Sequence, residues 1–292
     1  MKPPPFDYHV PATVEECLGL LSDYGDDAVL LSGGQSLIPL MRLRLTQPGH
    51  VISLRGIKGP LRAIRIEDDC LVIGARVTYA EVEQSDVARK ACPGLAKAIA
   101  LIATPAVRNR GTVCGNLCHA DPASELPALA LALGGRLHLR GQLGERVVAA
   151  EEFFLGPYMT ARRGDEMLTE VVFPVRPVDE GFAIREVTRL RGGFPMAGVA
   201  VALTRASGVT LRAAAVACFG VNAVQIRVPA AEAALVQLGC TPQGIAAAAD
   251  ALDQAIEPHD DPFASVEYRR AATRALLQQA VEEACGLHGG AS

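Results

Sequence analysis

The sequence predicts an α+β protein in three units, residues 1–57, 58–177 and 178–292. Three observations carry this reading. First, the apolar run Val29-Leu30-Leu31 ends in Ser32-Gly33-Gly34-Gln35-Ser36 and passes at once into the amphipathic Leu37-Ile38-Pro39-Leu40-Met41. That is a strand turning into a helix. Second, short apolar or alternating runs recur between 61 and 75 and between 136 and 173, with helical patterns between them. Third, the strand-like runs 197–204 and 211–221 flank Ala206-Ser207-Gly208, as in an antiparallel hairpin. Helical stretches at 230–238, 242–256 and 266–285 come after them.

Taken in order, Thr13-Val14-Glu15-Glu16 has the form of a capping box, with Thr at the cap and Glu three residues on. It opens a helix through Leu18, Leu20 and Leu21 that ends near Gly25. Strands at 29–32 and 51–54 complete the first unit. The run 61–66 alternates apolar and basic residues, Asp68-Asp69 makes a turn, and 70–75 is the return strand. Thr78-Tyr79-Ala80-Glu81 is a second capping box. A helical stretch at 88–103, interrupted at Pro93-Gly94, leads into a polar loop over 104–116. A short apolar helix at 125–133 closes at Gly134-Gly135, and strands are expected at 136–140, 146–149 and 167–173. Pro174 and Pro177 mark the boundary of the third unit, which begins with a strand at 182–190. The tail Gly289-Gly290-Ala291-Ser292 is expected to be disordered.

Composition excludes several classes. Half of the 292 residues are hydrophobic, aromatics are 4% and Trp is absent, so the core is aliphatic. A net charge of −4 with no basic run argues against nucleic-acid binding. The N-terminus has no apolar signal segment, and no stretch reaches the ~18 apolar residues of a membrane span. A soluble cytoplasmic protein is expected. The eight cysteines are widely and irregularly spaced, which suits reduced thiols better than a disulfide framework. Cys114, Cys118, His119 and Asp121 form at most half a metal site, and no second cluster completes it.

The chemistry concentrates in two loops. Adjacent glycines at 33 and 34 can take positive φ and leave no Cβ in the way. Successive N–H groups then converge into an anion-holding nest, and Ser36 can cap the next helix. Alone, such a loop is commonly an ordinary turn. About 80 residues later Gly111-Thr112-Val113-Cys114-Gly115-Asn116 repeats the same chemistry. Two such loops can grip a dinucleotide from opposite sides. Thr112 and Asn116 can bond phosphate or ribose oxygens, and Arg108 and Arg110 can neutralise phosphate charge. His119, His138 and His259 stand in no recognisable catalytic arrangement.

The two loops, with His119-Ala120-Asp121-Pro122 after the second, resemble the FAD-binding medium subunit of molybdenum hydroxylases. That family includes carbon monoxide dehydrogenase, xanthine dehydrogenase, and quinoline, isoquinoline and nicotine-type oxidoreductases. The resemblance extends over the chain, from Phe6-Asp7-Tyr8 through Pro105-Ala106-Val107-Arg108-Asn109 to the terminal helices. It implies the vanillyl-alcohol-oxidase (PCMH) type of FAD-binding fold, two subdomains followed by a C-terminal domain with an antiparallel sheet and helices.

The resemblance also implies site residues. Val29, Leu30, Leu31, Ser32, Gly33, Gly34, Gln35 and Ser36 match the first FAD motif, which wraps the pyrophosphate. Gly111, Thr112, Val113, Cys114, Gly115 and Asn116 match the second. Glu125 matches an acidic position on the adenosine ribose side, Met167 and Leu168 match apolar positions beside the cofactor, Arg185 a basic position near the flavin ring, and Phe194 a position facing the isoalloxazine. The pattern is broken at Cys114, where relatives usually carry glycine, so the thiol must turn away from the phosphate or narrow its approach. The cysteine-rich insertion that holds an iron–sulfur cluster in one branch is missing, so no cluster is expected in this chain.

The function implied by the resemblance is that of an electron-transfer subunit with FAD as its cofactor. A large molybdopterin-binding subunit and a small [2Fe-2S] subunit are the expected partners, in a dimer of heterotrimers. Electrons from partner iron–sulfur clusters would leave through FAD to NAD⁺, O2 or a quinone-linked carrier. The alternatives are an autonomous FAD-dependent oxidase or reductase of the same fold, and a scaffold that has lost FAD.

Overall fold

Thr13 caps the first helix, its Oγ1 accepting from the Glu16 N–H at 3.1 Å. Glu16 reaches back one residue further than a capping box requires, accepting from the Ala12 N–H at 2.7 Å. The helix, Val14–Tyr24, stops at Gly25, whose φ is +52°. The computed structural model describes residues 2–176 and 180–286. Pro177 and the glycine-rich tail lie outside the described residues.

Three larger sheets organise the chain. The first is parallel, with Asp7–His9, His50–Ser53 and Ala28–Leu31 side by side in that order. The second is antiparallel, in the order Ile64–Glu67, Cys70–Gly74, Met167–Pro174, Arg136–Gly141, Gly144–Ala149. Asp68 and Asp69, both at positive φ, make the tight turn between its first two strands. The third sheet, Gly181–Thr188, Pro195–Ser207, Thr210–Phe219 and Ile226–Arg227, is also antiparallel. A small hairpin, Phe154–Gly156 with Met159–Thr160, stands apart.

Local chemistry moves some of the expected elements. Pro60–Arg62 is a 3₁₀ turn, so the strand expected at 61–66 occupies Ile64–Glu67. Pro93 has no N–H to donate, and the stretch 88–103 divides into Asp86–Ala91 and Pro93–Ile99. The polar loop at 104–116 is also partly helical. Pro105–Arg108 is one turn, and Thr112 caps Val113–His119. The Thr78 capping box forms in full.

The third sheet is buried on both faces. Ala200 and Ala202 face the core shared with the first two sheets, while Val199, Val201 and Leu203 face the C-terminal helices. That two-sided burial is why 197–203 reads as an unbroken apolar run. The helix Glu125–Ala132 packs between the helix Val113–His119 and the third sheet, and every one of its residues is buried. Behind the third sheet lie Pro229–Leu238, Pro242–Ala255 and Val266–Ala284. No described helix is long and apolar enough to cross a membrane.

One pair of cysteines departs from the expectation of reduced thiols. Cys240, after the helix Pro229–Leu238, and Cys285, at the end of Val266–Ala284, form a disulfide. Helix packing places their Cα atoms 6.6 Å apart although they are separated by 45 residues. Cys17, Cys70, Cys92, Cys114, Cys118 and Cys218 are free. Closing a loop of that length restricts the unfolded chain, so Cys240→Ala is expected to cost about 2–4 kcal/mol in oxidising buffer. Thermal unfolding with and without dithiothreitol checks this: the difference between variant and parent should vanish on reduction.

Candidate functional site

The first glycine loop leaves the parallel sheet at Leu31 and enters the helix Leu37–Leu43. Gly34 sits at φ +72°, a conformation that favours glycine. Gly33 is required for a different reason. A Cβ built on it would stand 2.2 Å from the Arg110 carbonyl oxygen and 2.8 Å from the Gly111 Cα. The second loop therefore touches the first, backbone to backbone. Among the described residues, the N–H groups of Gly33, Gly34, Gln35 and Ser36 have no protein acceptor. Ser36 occupies the cap position, yet its side chain makes no capping hydrogen bond, contrary to the expectation from its position.

A side-chain clasp joins the loops. The Thr112 hydroxyl donates to Ser32 Oγ at 3.1 Å, and Ser32 donates to the Ala75 carbonyl at 3.1 Å. Thr112 Oγ1 also accepts from the Gly115 N–H at 3.3 Å. Its hydroxyl is thus committed to joining the loops and capping the helix. Asn116 Oδ1 accepts from Ser124 Oγ at 2.7 Å, and its side chain also hydrogen-bonds Tyr79, which leaves one amide N–H donor. Cys114 resolves the departure from glycine by turning inward, its Sγ lying 3.7 Å from the Ile73 carbonyl. Burial pushes that thiol well up.

Between the loops lies a cavity of about 230 Å³. Its wall holds Val29, Leu30, Leu31, Ser32, Gly33, Gly34, Gln35 and Ser36 from the first motif. Gly111, Thr112, Cys114, Gly115 and Asn116 come from the second, with Leu168 beyond. The other expected residues point elsewhere. Val113 is fully buried in the core, on the inner side of its helix. Met167 is buried too, because neighbouring strand residues face opposite ways and Leu168 takes the cavity side. Glu125 is buried behind the wall. Arg185 pairs with Glu283 on the terminal helix at 2.7 Å. Phe194 is 76% exposed and does not line the cavity.

The arginines expected to neutralise phosphate are also placed differently. Arg108 pairs with Glu83 at 2.9 Å and donates to the Ile102 and Ala103 carbonyls. Arg110 presents its carbonyl to Gly33, and its side chain is exposed. The permanent positive charge among the cavity-lining residues is instead Arg162. Its Nη1 is fixed by the Arg163 and Glu166 carbonyls, each at 2.8 Å. No local pattern marked Arg162 in the sequence. Tyr79 also lines the cavity, with its ring packed where a Cβ on Gly111 would stand 2.8 Å away. Burial, reinforced by the charge of Glu125, raises its phenol pKa. His119 lines the wall as well, and burial lowers its pKa against a smaller opposing effect of Asp121. His138 approaches Glu170 at 3.5 Å, and His259 is exposed. Among the described residues no group of three His, Cys, Asp or Glu side chains is placed to hold a metal ion.

The donor set fits a diphosphate. Among the described residues, four loop N–H groups without protein acceptors, two glycines and one fixed guanidinium belong to the lining, and no carboxylate does.

Comparisons with known proteins point the same way. The family model of the FAD binding domain in molybdopterin dehydrogenase matches residues 4–176. The CO dehydrogenase flavoprotein C-terminal domain matches residues 182–284. The carbon monoxide dehydrogenase medium chain of Hydrogenophaga pseudoflava is 37% identical over 284 residues, 97% of this chain and 98% of that one. The 6-hydroxypseudooxynicotine dehydrogenase complex subunit alpha of Paenarthrobacter nicotinovorans is 34% identical over 284 residues, 97% of this chain and 96% of that one. A solved structure of the Hydrogenophaga carbon monoxide dehydrogenase, in a form lacking the Mo-pyranopterin moiety, is similar at a TM-score of 0.95. That match has 39% identity and covers 98% of this chain and 99% of that one. With matched domains spanning nearly its whole length, the chain belongs to the family of FAD-binding subunits of molybdopterin-dependent dehydrogenases.

Proposed function

We propose that this chain holds FAD across the cavity and acts as the electron-transfer subunit of a heterotrimeric molybdenum hydroxylase. The observation that carries the reading is the contact of Gly33 with the backbone of Arg110 and Gly111, which closes two glycine loops into one nest. In the proposed complex a large molybdopterin chain oxidises the organic substrate, and a small [2Fe-2S] chain relays the electrons. Two such heterotrimers pair, in the cytoplasm. We assign the N-terminal part to the vanillyl-alcohol-oxidase (PCMH) type of FAD fold, with subdomains 1–57 and 58–177 before the C-terminal domain 178–292. Bound FAD supplies a two-electron carrier between the partner clusters and an external acceptor.

The chain's own residues bind and orient. The N–H groups of Gly33, Gly34, Gln35 and Ser36 receive the diphosphate, and the Asn116 amide donates to the sugar or ribityl side. Val29, Leu30, Leu31 and Leu168 exclude water along the wall. Arg162 supplies compensating positive charge. Relatives named for carbon monoxide and for 6-hydroxypseudooxynicotine share this architecture, which supports placing substrate choice on the large chain.

FAD titration of the apoprotein tests this. The folded wild-type chain is expected to take up stoichiometric FAD, and a folded chain that took up none would contradict the reading. Gly33→Val drives a side chain into the Arg110 carbonyl and should abolish FAD retention while the third sheet and its helices stay folded. Thr112→Val removes a helix cap and the link to Ser32, and should cost about 1–2 kcal/mol of stability, with Thr112→Ser restoring most of it. Denaturant unfolding of the variants measures this difference.

A further inference from the structure

The loop that carries Arg162 to the cavity is folded around an ion pair. It runs over 161–166, between the hairpin strand Met159–Thr160 and the strand Met167–Pro174. The side chain of its last residue, Glu166, is only 6% exposed. Arg146, on the edge strand Gly144–Ala149, meets that carboxylate with two hydrogen bonds, Nε to Oε1 at 2.7 Å and Nη2 to Oε2 at 2.8 Å. The same Nη2 donates to the Ala161 carbonyl at 2.6 Å. One guanidinium thus holds both ends of the loop. Within the loop the Arg163 N–H donates to Glu166 Oε2 at 2.7 Å, and the Glu166 N–H donates to the Arg163 carbonyl at 3.1 Å. Both oxygens of the carboxylate are engaged, and Arg146 holds the Glu166 carboxyl below its usual range.

These bonds set the two carbonyls that receive Arg162. Arg163 and Glu166 present their carbonyl oxygens to Nη1 of Arg162, each at 2.8 Å. Both hydrogens of that nitrogen are spent. Nε and Nη2 of Arg162 have no acceptor among the described residues, so three of its N–H donors remain. The charge is felt inside the wall: burial raises the Cys118 thiol, and Arg162 partly offsets the rise. Cys118 and Arg162 both line the cavity, whereas Arg146 and Glu166 do not. An arginine that orders only when its ligand arrives loses rotamer entropy at that moment. Here two backbone carbonyls hold the guanidinium beforehand, which lowers that cost.

We propose that Arg146 and Glu166 are positioning residues for cofactor binding: their ion pair shapes the loop 161–166 so that Arg162 presents its charge to the diphosphate of FAD. This rests on the FAD reading. The pair acts through the loop, and no covalent or redox step is involved. Coulomb attraction falls off slowly with distance inside a protein, so Arg162 acts from the wall and need not touch a particular phosphate oxygen. What matters is that the guanidinium stays at the wall. Without the pair, the two carbonyls that hold it lose their own anchors at both ends of the loop.

A double-mutant cycle on FAD affinity tests this, with the full-length apoprotein titrated by flavin fluorescence. Arg162→Met should weaken FAD binding about tenfold. Glu166→Gln and Arg146→Lys should each weaken it about three- to tenfold. Gln keeps the shape of Glu166 without its charge, and Lys keeps the charge of Arg146 without its two-pronged grip. The Arg146 side chain is 33% exposed, so its charge stays in contact with water and the fold tolerates either change. In the Arg162→Met background both substitutions should leave FAD affinity unchanged, while Tm still falls as it does in the wild-type background. Salt should weaken FAD binding less steeply in Glu166→Gln than in the wild type, because less of the affinity is Coulombic. Equal losses of affinity in the two backgrounds would make the pair a structural element only and overturn the assignment. Arg162→Met binding FAD as tightly as the wild type would overturn it too. If Glu166→Gln fails to fold, the milder Arg146→Lys decides by the same comparison. In either case stoichiometric uptake of FAD by the wild type would leave the cofactor reading standing, whereas a wild-type chain that took up no FAD would overturn both.

Discussion

Everything proposed for the cavity depends on one contact: Gly33 lying directly on the backbone of Arg110 and Gly111. The contact joins loops from different sheets, and the Thr112–Ser32 hydrogen bond across it spans 80 residues of sequence. Both loops are tied to segments that adjoin the second sheet. The second is held by a bridge between Thr78 and Thr112, with backbone bonds from the Val113 N–H to the Val77 carbonyl and from the Tyr79 N–H to the Gly111 carbonyl. The first is fixed by the Ser32 bond to Ala75, at the end of a strand of the second sheet. A nest of N–H groups gains its affinity for anions from being pre-formed, because the donors need no ordering when the ligand arrives. Here the pre-forming is done by the second sheet, through Ala75, Val77 and Thr78.

The helix Glu125–Ala132 has the corresponding role for the C-terminal unit. It is buried on every side and makes contact with both the second-motif helix and the third sheet. A helix so placed has no polar face to offer solvent, which accounts for its uniformly apolar composition after the first residue. The exception, Glu125, stands at the N-terminal turn, where the helix dipole gives an acid partial relief. Burial there raises its carboxyl to about 8.

Much of this was legible in the sequence because the signals were local. Thr78 and Glu81 form their capping box, the hairpin around Gly208 forms between two apolar runs, and the two glycine loops meet. What was not legible depended on the parity of a strand or on partners far away. Arg185 and Glu186 are adjacent, and periodicity could not say which faced the interior, because their strand is half-buried on both sides. The Thr112 hydroxyl read as a phosphate donor and proved to be committed to Ser32 and the Gly115 N–H. Arg162 carried no motif, and its place at the wall comes from two carbonyls in its own loop. Cys240 and Cys285 pair because helices pack, which irregular spacing did not reveal. Phe194 rested on the family resemblance alone, and its ring stands in solvent.

Amide hydrogen exchange of the full-length chain, with and without FAD, tests the central claim most directly. Among the described residues the N–H groups of Gly33, Gly34, Gln35 and Ser36 have no protein acceptor, so they should exchange fast in the apoprotein and become strongly protected when FAD binds. Unchanged exchange at these four amides in a chain that retains stoichiometric FAD would contradict the nest and place the diphosphate elsewhere.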